Sequence, residues 1–190
     1  MISHRKKFIF IHIPKTGGTS IARLLFNHCE MITKHQFAAD MMDEARPGID
    51  YFSFAVVRNP WDREVSRYFY QRRKPDHELY KEANGLSFKQ WLKNRHCDKY
   101  FMSFYGAPML DWISDDRGNV LIDYIARFEK LDEEWNIVRD KLGIGEALNR
   151  LNTSQHDHYS AYYDDETNDM IEKVYKKDID YFKYSFDGTS

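Results

Sequence analysis

Apolar positions fall into two short unbroken runs, each followed by a polar break and then by a helical period. Phe8-Ile9-Phe10-Ile11-His12-Ile13 is rich in β-branched and aromatic residues and too short for a helix, so it reads as a buried strand. Beyond the break at Pro14 to Ser20, Ile21, Leu24, Leu25 and His28 fall at i, i+3, i+4 and i+7, one face of a helix. Tyr51 to Val57 is a second apolar run, expected parallel and adjacent to the first, because strands covered on both faces are continuously apolar. It ends at Arg58, after which Asn59 is a good N-cap and Pro60 a good first helical residue. The helix that follows, Trp61 to about Gln71, turns Trp61, Val65, Tyr68 and Phe69 inward.

The remaining pattern predicts further elements. Helices are expected over Phe37 to Glu44, from a Ser87 cap to about Asn94 with Phe88, Trp91 and Leu92 inside, and around Leu131, Trp135, Val138 and Leu142 with Gly143 as stop. A closing helix, Asp164 to Tyr181, starts acidic, turns lysine-rich and should bury Ile171, Val174, Tyr175 and Phe182. Met31 to Thr33 reads as a short strand, and Trp112 to Ile125 as strand, turn, strand. Asp76 to Gly85 reads as a polar surface insertion, and His96 to Pro108 as an aromatic loop without period that could face an acceptor. The expectation is one α/β domain over residues 1–190, with three layers and a mostly parallel sheet flanked by helices.

Composition removes several functions. A chain of 190 residues with a formal charge of −2 offers no electrostatic case for binding nucleic acid. No stretch approaches the roughly 20 apolar residues of a membrane span, and no signal peptide is convincing. Cys29 and Cys97 form no disulfide framework and no metal-type spacing, so reduced thiols and a cytoplasmic protein are expected. Aromatic content of 16% suits a stacking surface for a sugar or base, and a compact aromatic core equally well.

The break between the first strand and helix carries the chemistry. Pro14-Lys15-Thr16-Gly17-Gly18-Thr19-Ser20 combines two glycines with ammonium and hydroxyl donors at a helix N-terminus, an arrangement that cradles phosphate. A nucleoside-triphosphate loop would place its lysine after the last glycine. Here Lys15 precedes both, which weakens an ATP or GTP reading and leaves phosphate binding intact. A plain turn with a solvated Lys15 is the alternative. Arg58 stands where the second strand meets its helix, the ligand edge of an open α/β sheet, and a guanidinium grips phosphate bidentately. Two such grips on two strand–helix junctions suit a ligand with phosphates at both ends. An Arg58–Asp62 surface pair is the competing explanation. His156-x-His158 lacks a third ligand, so no metal site is read there.

The loop resembles the 5′-phosphosulfate loop of the sulfotransferases, most nearly the carbohydrate type that includes the heparan-sulfate 2-O- and 6-O-sulfotransferases and small bacterial relatives. That resemblance implies a P-loop-like fold and 3′-phosphoadenosine-5′-phosphosulfate (PAPS) as co-substrate. Adenosine 3′,5′-bisphosphate (PAP) would be the product, with no metal required. By resemblance Lys15, Thr16, Gly17, Gly18, Thr19 and Ser20 hold the 5′ side, and Arg58 with Ser66, eight residues on, holds the 3′-phosphate. Arg127, in Arg127-Phe128-Glu129, lies near the nucleotide, and Ser154 and His158 are further contacts. His35, shortly after the first helix, corresponds to the general base, with Glu30 and Asp40 as rivals and a surface or capping histidine as the alternative. An imidazole, with an ordinary pKa of about 6.5, suits that task. Lys15 would neutralise charge on the leaving phosphate. The implied acceptor is a hydroxyl compound, with a glycan the expected class. The basic run Arg72-Arg73-Lys74 is either a solvated helix terminus or a patch for an anionic acceptor. A nucleotide kinase and a non-catalytic nucleotide- or glycan-binding relative remain as rivals. The oligomeric state is not legible.

Overall fold

A computed structural model describes residues 1–148 and 156–186. In chain order they form β1 (Ile2–Ser3), β2 (Phe8–Ile11), α1 (Gly18–Leu25), α2 (Ala38–Asp43), β3 (Phe52–Val57), α3 (Pro60–Arg73), α4 (Tyr80–Gly85), α5 (Phe88–Cys97), α6 (Lys99–Ser103), α7 (Met109–Ile113), β4 (Tyr124–Arg127), α8 (Leu131–Leu142), α9 (Asp165–Val174) and α10 (Lys176–Phe182). They divide into two units, one of Met1–Arg58 with Met109–Leu151 and one of Asn59–Pro108 with Asn152–Ser190.

The first unit holds the sheet, in the order β1-β2-β3-β4. β2 pairs with β3 and β3 with β4 in parallel, while the two-residue β1 pairs antiparallel with β2. Every residue of β2 and all but the first of β3 are buried, as continuously apolar parallel strands require. Alternate strand residues Phe8, Phe10, Phe54, Val56 and Ala126 pack against Ile21 and Leu25 of α1 and Leu131, Trp135, Val138 and Leu142 of α8. α8 ends at Gly143 in the left-handed conformation (φ 58°), and the Gly143 and Ile144 amides close its last turn. The mixed α/β class with a mostly parallel, helix-flanked sheet is therefore the observed one. Two short expectations in this unit fail. Met31 makes one isolated bridge to Ile2, not a strand. Trp112 and Ile113 lie in the helix α7, the expected turn keeps the Ser114–Val120 bridge, and the expected second strand begins only at Tyr124, as the start of β4. A five-residue apolar segment is too short for its period to separate helix from strand.

The second unit is helical. α3 opens on Asn59, whose side chain accepts from the Trp61 and Asp62 amides. α5 opens on a Ser87/Gln90 capping box and buries Phe88, Trp91 and Leu92. The expected polar insertion contains α4, which buries Ala83, and the expected aromatic loop contains α6, capped by Asp98 on the Phe101 amide. The closing helix is two, broken at Tyr175, with Ile171, Tyr175 and Phe182 buried and Val174 only partly so. Amphipathic reading also missed what α3 buries besides apolar residues. Arg63, Glu64 and Arg67 are at most 3% exposed. Arg67 is ion-paired to Glu64, which accepts from the Tyr175 hydroxyl (2.8 Å), and Arg63 donates to the Ala107 carbonyl (3.0 Å). The charges survive burial because each finds a partner. Their guanidinium neighbours hold the Glu64 carboxyl well below the usual range despite its burial.

Candidate functional site

Parallel pairing sets the chemistry at one edge. β2, β3 and β4 run in the same direction, so the loop after β2, Arg58 after β3 and Arg127 at the end of β4 all emerge at the carboxyl ends of the strands. Arg127 is the register partner of Val57, and Phe128 follows it.

The loop itself is tightly determined. Lys15 (φ 68°) and Gly17 (φ 82°) both adopt left-handed backbone, a conformation that strains a lysine by on the order of 1–3 kcal/mol. Such strain persists only where the surroundings enforce it. Thr16 is buried and its hydroxyl donates to the Ile13 carbonyl (3.0 Å). α1 starts at Gly18 with Gly17 as its N-cap residue, so no side chain caps it. The first-turn amides, the Thr19 hydroxyl and the dipole are thereby presented together. Thr19 is exposed and Ser20 buried. Neither glycine has room for a methyl group. A Cβ on Gly17 would lie 2.8 Å from the Phe128 ring, and one on Gly18 would lie 2.3 Å from the His12 ring.

Arg58 joins this loop directly. Its guanidinium donates to the Lys15 carbonyl (3.2 Å) and lies over the Phe128 ring, 3.9 Å from the centroid. The residue is 7% exposed, so it is not a solvated surface guanidinium. The two anion grips read from the sequence are thus in contact within one unit.

His35 is half-buried on the other side of His12. Its Nδ1 lies 2.8 Å from the His12 carbonyl oxygen. A carbonyl only accepts, so Nδ1 carries the proton and Nε2 is the basic nitrogen of the neutral ring. The His12 and His35 rings are 4.5 Å apart, and Trp112, stacked on Phe37 (4.4 Å), meets His35 edge-on at 6.3 Å. His12 itself was overlooked in the sequence, where it reads only as the polar member of a strand. It is 7% exposed and stacked on Phe10. Its pKa is pushed down to about 3, by burial first and then by His35, the N-terminal ammonium and Lys34.

That shift has a measurable consequence. The folded protein refuses a proton that an unfolded histidine accepts below about 6.5. The resulting stability is complete above about 6.5 and declines as the pH falls toward 3, by at most roughly 1.4 kcal/mol per pH unit. Urea unfolding between pH 7.5 and 5 should show this decline, and His12→Asn should flatten it. A second expectation concerns the glycine. Gly18→Ala forces His12 to move, so the folded state should lose about 1–3 kcal/mol in urea unfolding.

The other expected residues lie elsewhere in the chain. Ser66 is buried in α3 of the second unit. His158, also in the second unit, is exposed, with Nδ1 2.9 Å from the Ser160 hydroxyl. Ser154 falls outside the described residues. The Arg72 guanidinium lies 2.5 Å from the Tyr68 hydroxyl, so part of the basic cluster serves the helix it ends. Among the described residues no group of three or more His, Cys, Asp and Glu is placed to hold a metal ion, and no helix is long and apolar enough to cross a membrane.

Known proteins are similar to this chain to different degrees. An uncharacterized protein of Archaeoglobus fulgidus is 32% identical over 111 residues, which is 57% of this chain and 82% of that one. The crystal structure of mouse sulfotransferase SULT7A1 complexed with PAP is similar in fold, with a TM-score of 0.58 at 14% identity over 94% of this chain and 85% of that one. A sulfotransferase from Alicyclobacillus acidocaldarius matches with a TM-score of 0.45 at 15% identity, over 96% of this chain and 97% of that one. The model of the Sulfotransferase family matches residues 1–185, across the loop, Arg58, His35 and both units alike. This chain belongs to the sulfotransferase family.

Proposed function

We propose that this protein transfers the sulfuryl group of PAPS to a hydroxyl of an acceptor, with a carbohydrate as the acceptor class. Sulfuryl transfer follows from the family. The donor assignment is supported by the contact between Arg58 and the Lys15 carbonyl, which sets two anion grips side by side at the sheet edge, and by the PAP bound to the mouse enzyme of similar fold. The loop suits such a ligand, since α1 starts at Gly18 with no side-chain cap, which leaves its N-terminus to an anion.

In this reading Lys15, Thr16, Gly17, Gly18, Thr19 and Ser20 hold the 5′-phosphosulfate and Arg58 the 3′-phosphate, with Ser66, Arg127, Ser154 and His158 as further nucleotide contacts. The acceptor oxygen attacks sulfur in line with the departing phosphate oxygen. His35 Nε2 takes the acceptor's proton as the S–O bond forms. Lys15 and the loop amides neutralise the charge that grows on the leaving phosphate, and they carry that load without a metal. A reducing, cytoplasmic location belongs to the same proposal, on the two free thiols of Cys29 and Cys97.

Calorimetry with adenosine 3′,5′-bisphosphate and with ATP tests the donor. Tight bisphosphate binding with weak, Mg²⁺-independent ATP binding is expected, and the reverse would point to a nucleotide kinase. Transfer of labelled sulfate from PAPS over a panel of glycans and small alcohols tests the rest. Bisphosphate binding with no transfer to any member of the panel would mark a non-catalytic relative.

A further inference from the structure

We propose that His12 is a positioning residue of the transfer reaction, its ring a spacer that fixes the distance between the anion loop and His35. The inference rests on the reading of His35 as the base. It starts from three contacts made by one side chain and its backbone. The ring fills the space a Gly18 side chain would need, with the position of a Gly18 Cβ only 2.3 Å from Cδ2 and 2.6 Å from Nε2. On its other side the ring meets His35 at 4.5 Å. Its own carbonyl accepts the His35 Nδ1 proton at 2.8 Å.

Residues 34–35 have no regular secondary structure to place them, so the ring contact and the His35 Nδ1 bond to the His12 carbonyl do the placing. Packing against Phe10, on the strand that carries the loop, anchors the spacer to the rigid sheet.

The chemical type of the spacer matters as well as its size. Taking up the acceptor's proton makes His35 cationic. A second imidazolium 4.5 Å away would oppose that step. Burial keeps His12 neutral, so it can accommodate the charge on His35 without competing for the proton. His35 and Lys34 on the segment packed against it, and the N-terminal ammonium of Met1, are the charged or titratable groups that act on it.

The test uses the full chain labelled with ¹⁵N-histidine. In the wild type, ring ¹⁵N shifts should show His35 as the Nδ1–H tautomer and His12 unprotonated down to about pH 5. In His12→Ala the backbone carbonyl remains but the ring packed on His35 is gone, so the His35 ring gains room to turn off that carbonyl and its signals should move to a tautomer mixture. A misplacement of about 1 Å costs on the order of 100-fold in rate, so kcat should fall between tenfold and that figure while adenosine 3′,5′-bisphosphate affinity changes less than threefold. His12→Phe, which keeps a ring of similar size above the same backbone carbonyl, should recover much of kcat. The proposal is overturned if wild-type His35 is the Nε2–H tautomer, a result that needs no variant to fold. It is also overturned if folded His12→Ala keeps the His35 tautomer and kcat. Failure of the wild type to bind the bisphosphate would instead sink the functional reading, and the ring shifts would still decide whether His12 places His35.

Discussion

Lys15→Ala is expected to lower kcat for sulfuryl transfer by about two orders of magnitude or more. The backbone at this position has partners of its own. Its carbonyl accepts from Arg58, and the next residue, Thr16, is buried and bonded to Ile13. Lysine and alanine pay the same penalty for the left-handed conformation at φ 68°, so strain does not change. What is lost is an ammonium at a loop whose remaining donors are neutral amides and hydroxyls. An ammonium that meets charge only as it develops on the leaving oxygen affects turnover more than donor affinity. Steady-state kinetics should therefore show kcat falling much further than KM for PAPS rises. Lys15→Arg, which keeps the charge but not the compact point geometry, should fall between the two. An unchanged kcat in Lys15→Ala would remove the ammonium from the mechanism.

The parts of this site that could be read from the chain are those whose residues are neighbours in sequence. The loop from Pro14 to Ser20 declares itself because a strand, two glycines and a helix are contiguous. Arg58 does so because a strand end, an N-cap and a proline follow one another. His35 needed the resemblance, since one histidine in an irregular stretch has no local pattern. His12 had the least signal of all. Its neighbours in space are Gly18, Lys34 and His35, and only the folded chain brings them to one ring. A polar residue in the first apolar run was the clue available, because a buried polar group must find partners. The same rule would have flagged α3. Arg63, Glu64 and Arg67 interleave with Trp61 and Val65 on a helix too buried for a simple two-faced pattern, and their partners Tyr105, Ala107 and Tyr175 lie far along the chain. Short elements fared worst. α4, α6 and α7 are five or six residues long, less than two turns, so one or two buried positions cannot establish a period.

His35→Ala is expected to reduce kcat by a factor between about 10² and 10⁴, the usual range for a general base. The carbonyl of His12 fixes the ring with Nδ1 protonated, so only Nε2 can accept. Protonation of that nitrogen abolishes the base, which sets the direction of the pH dependence. Wild-type kcat/KM should climb as His35 loses its proton with rising pH and then level off, and in His35→Ala that rise should vanish. His35→Gln separates geometry from basicity, because it keeps a hydrogen-bonding side chain of similar reach that cannot take up a proton. It should be as slow as alanine if proton transfer is the contribution, and faster if placement of the acceptor is. Exogenous imidazole should restore part of the rate to the alanine variant, where the ring has left space, and little to the glutamine variant. The rival carboxylates are poorly placed for the task. Glu30 is exposed and accepts from the His4 amide at 2.7 Å, and Asp40 is exposed on α2. If His35→Ala nevertheless keeps a pH-dependent turnover near the wild-type level, the proton goes to a different residue, and the His12–His35 pair is a structural brace beside the anion loop, not part of the reaction.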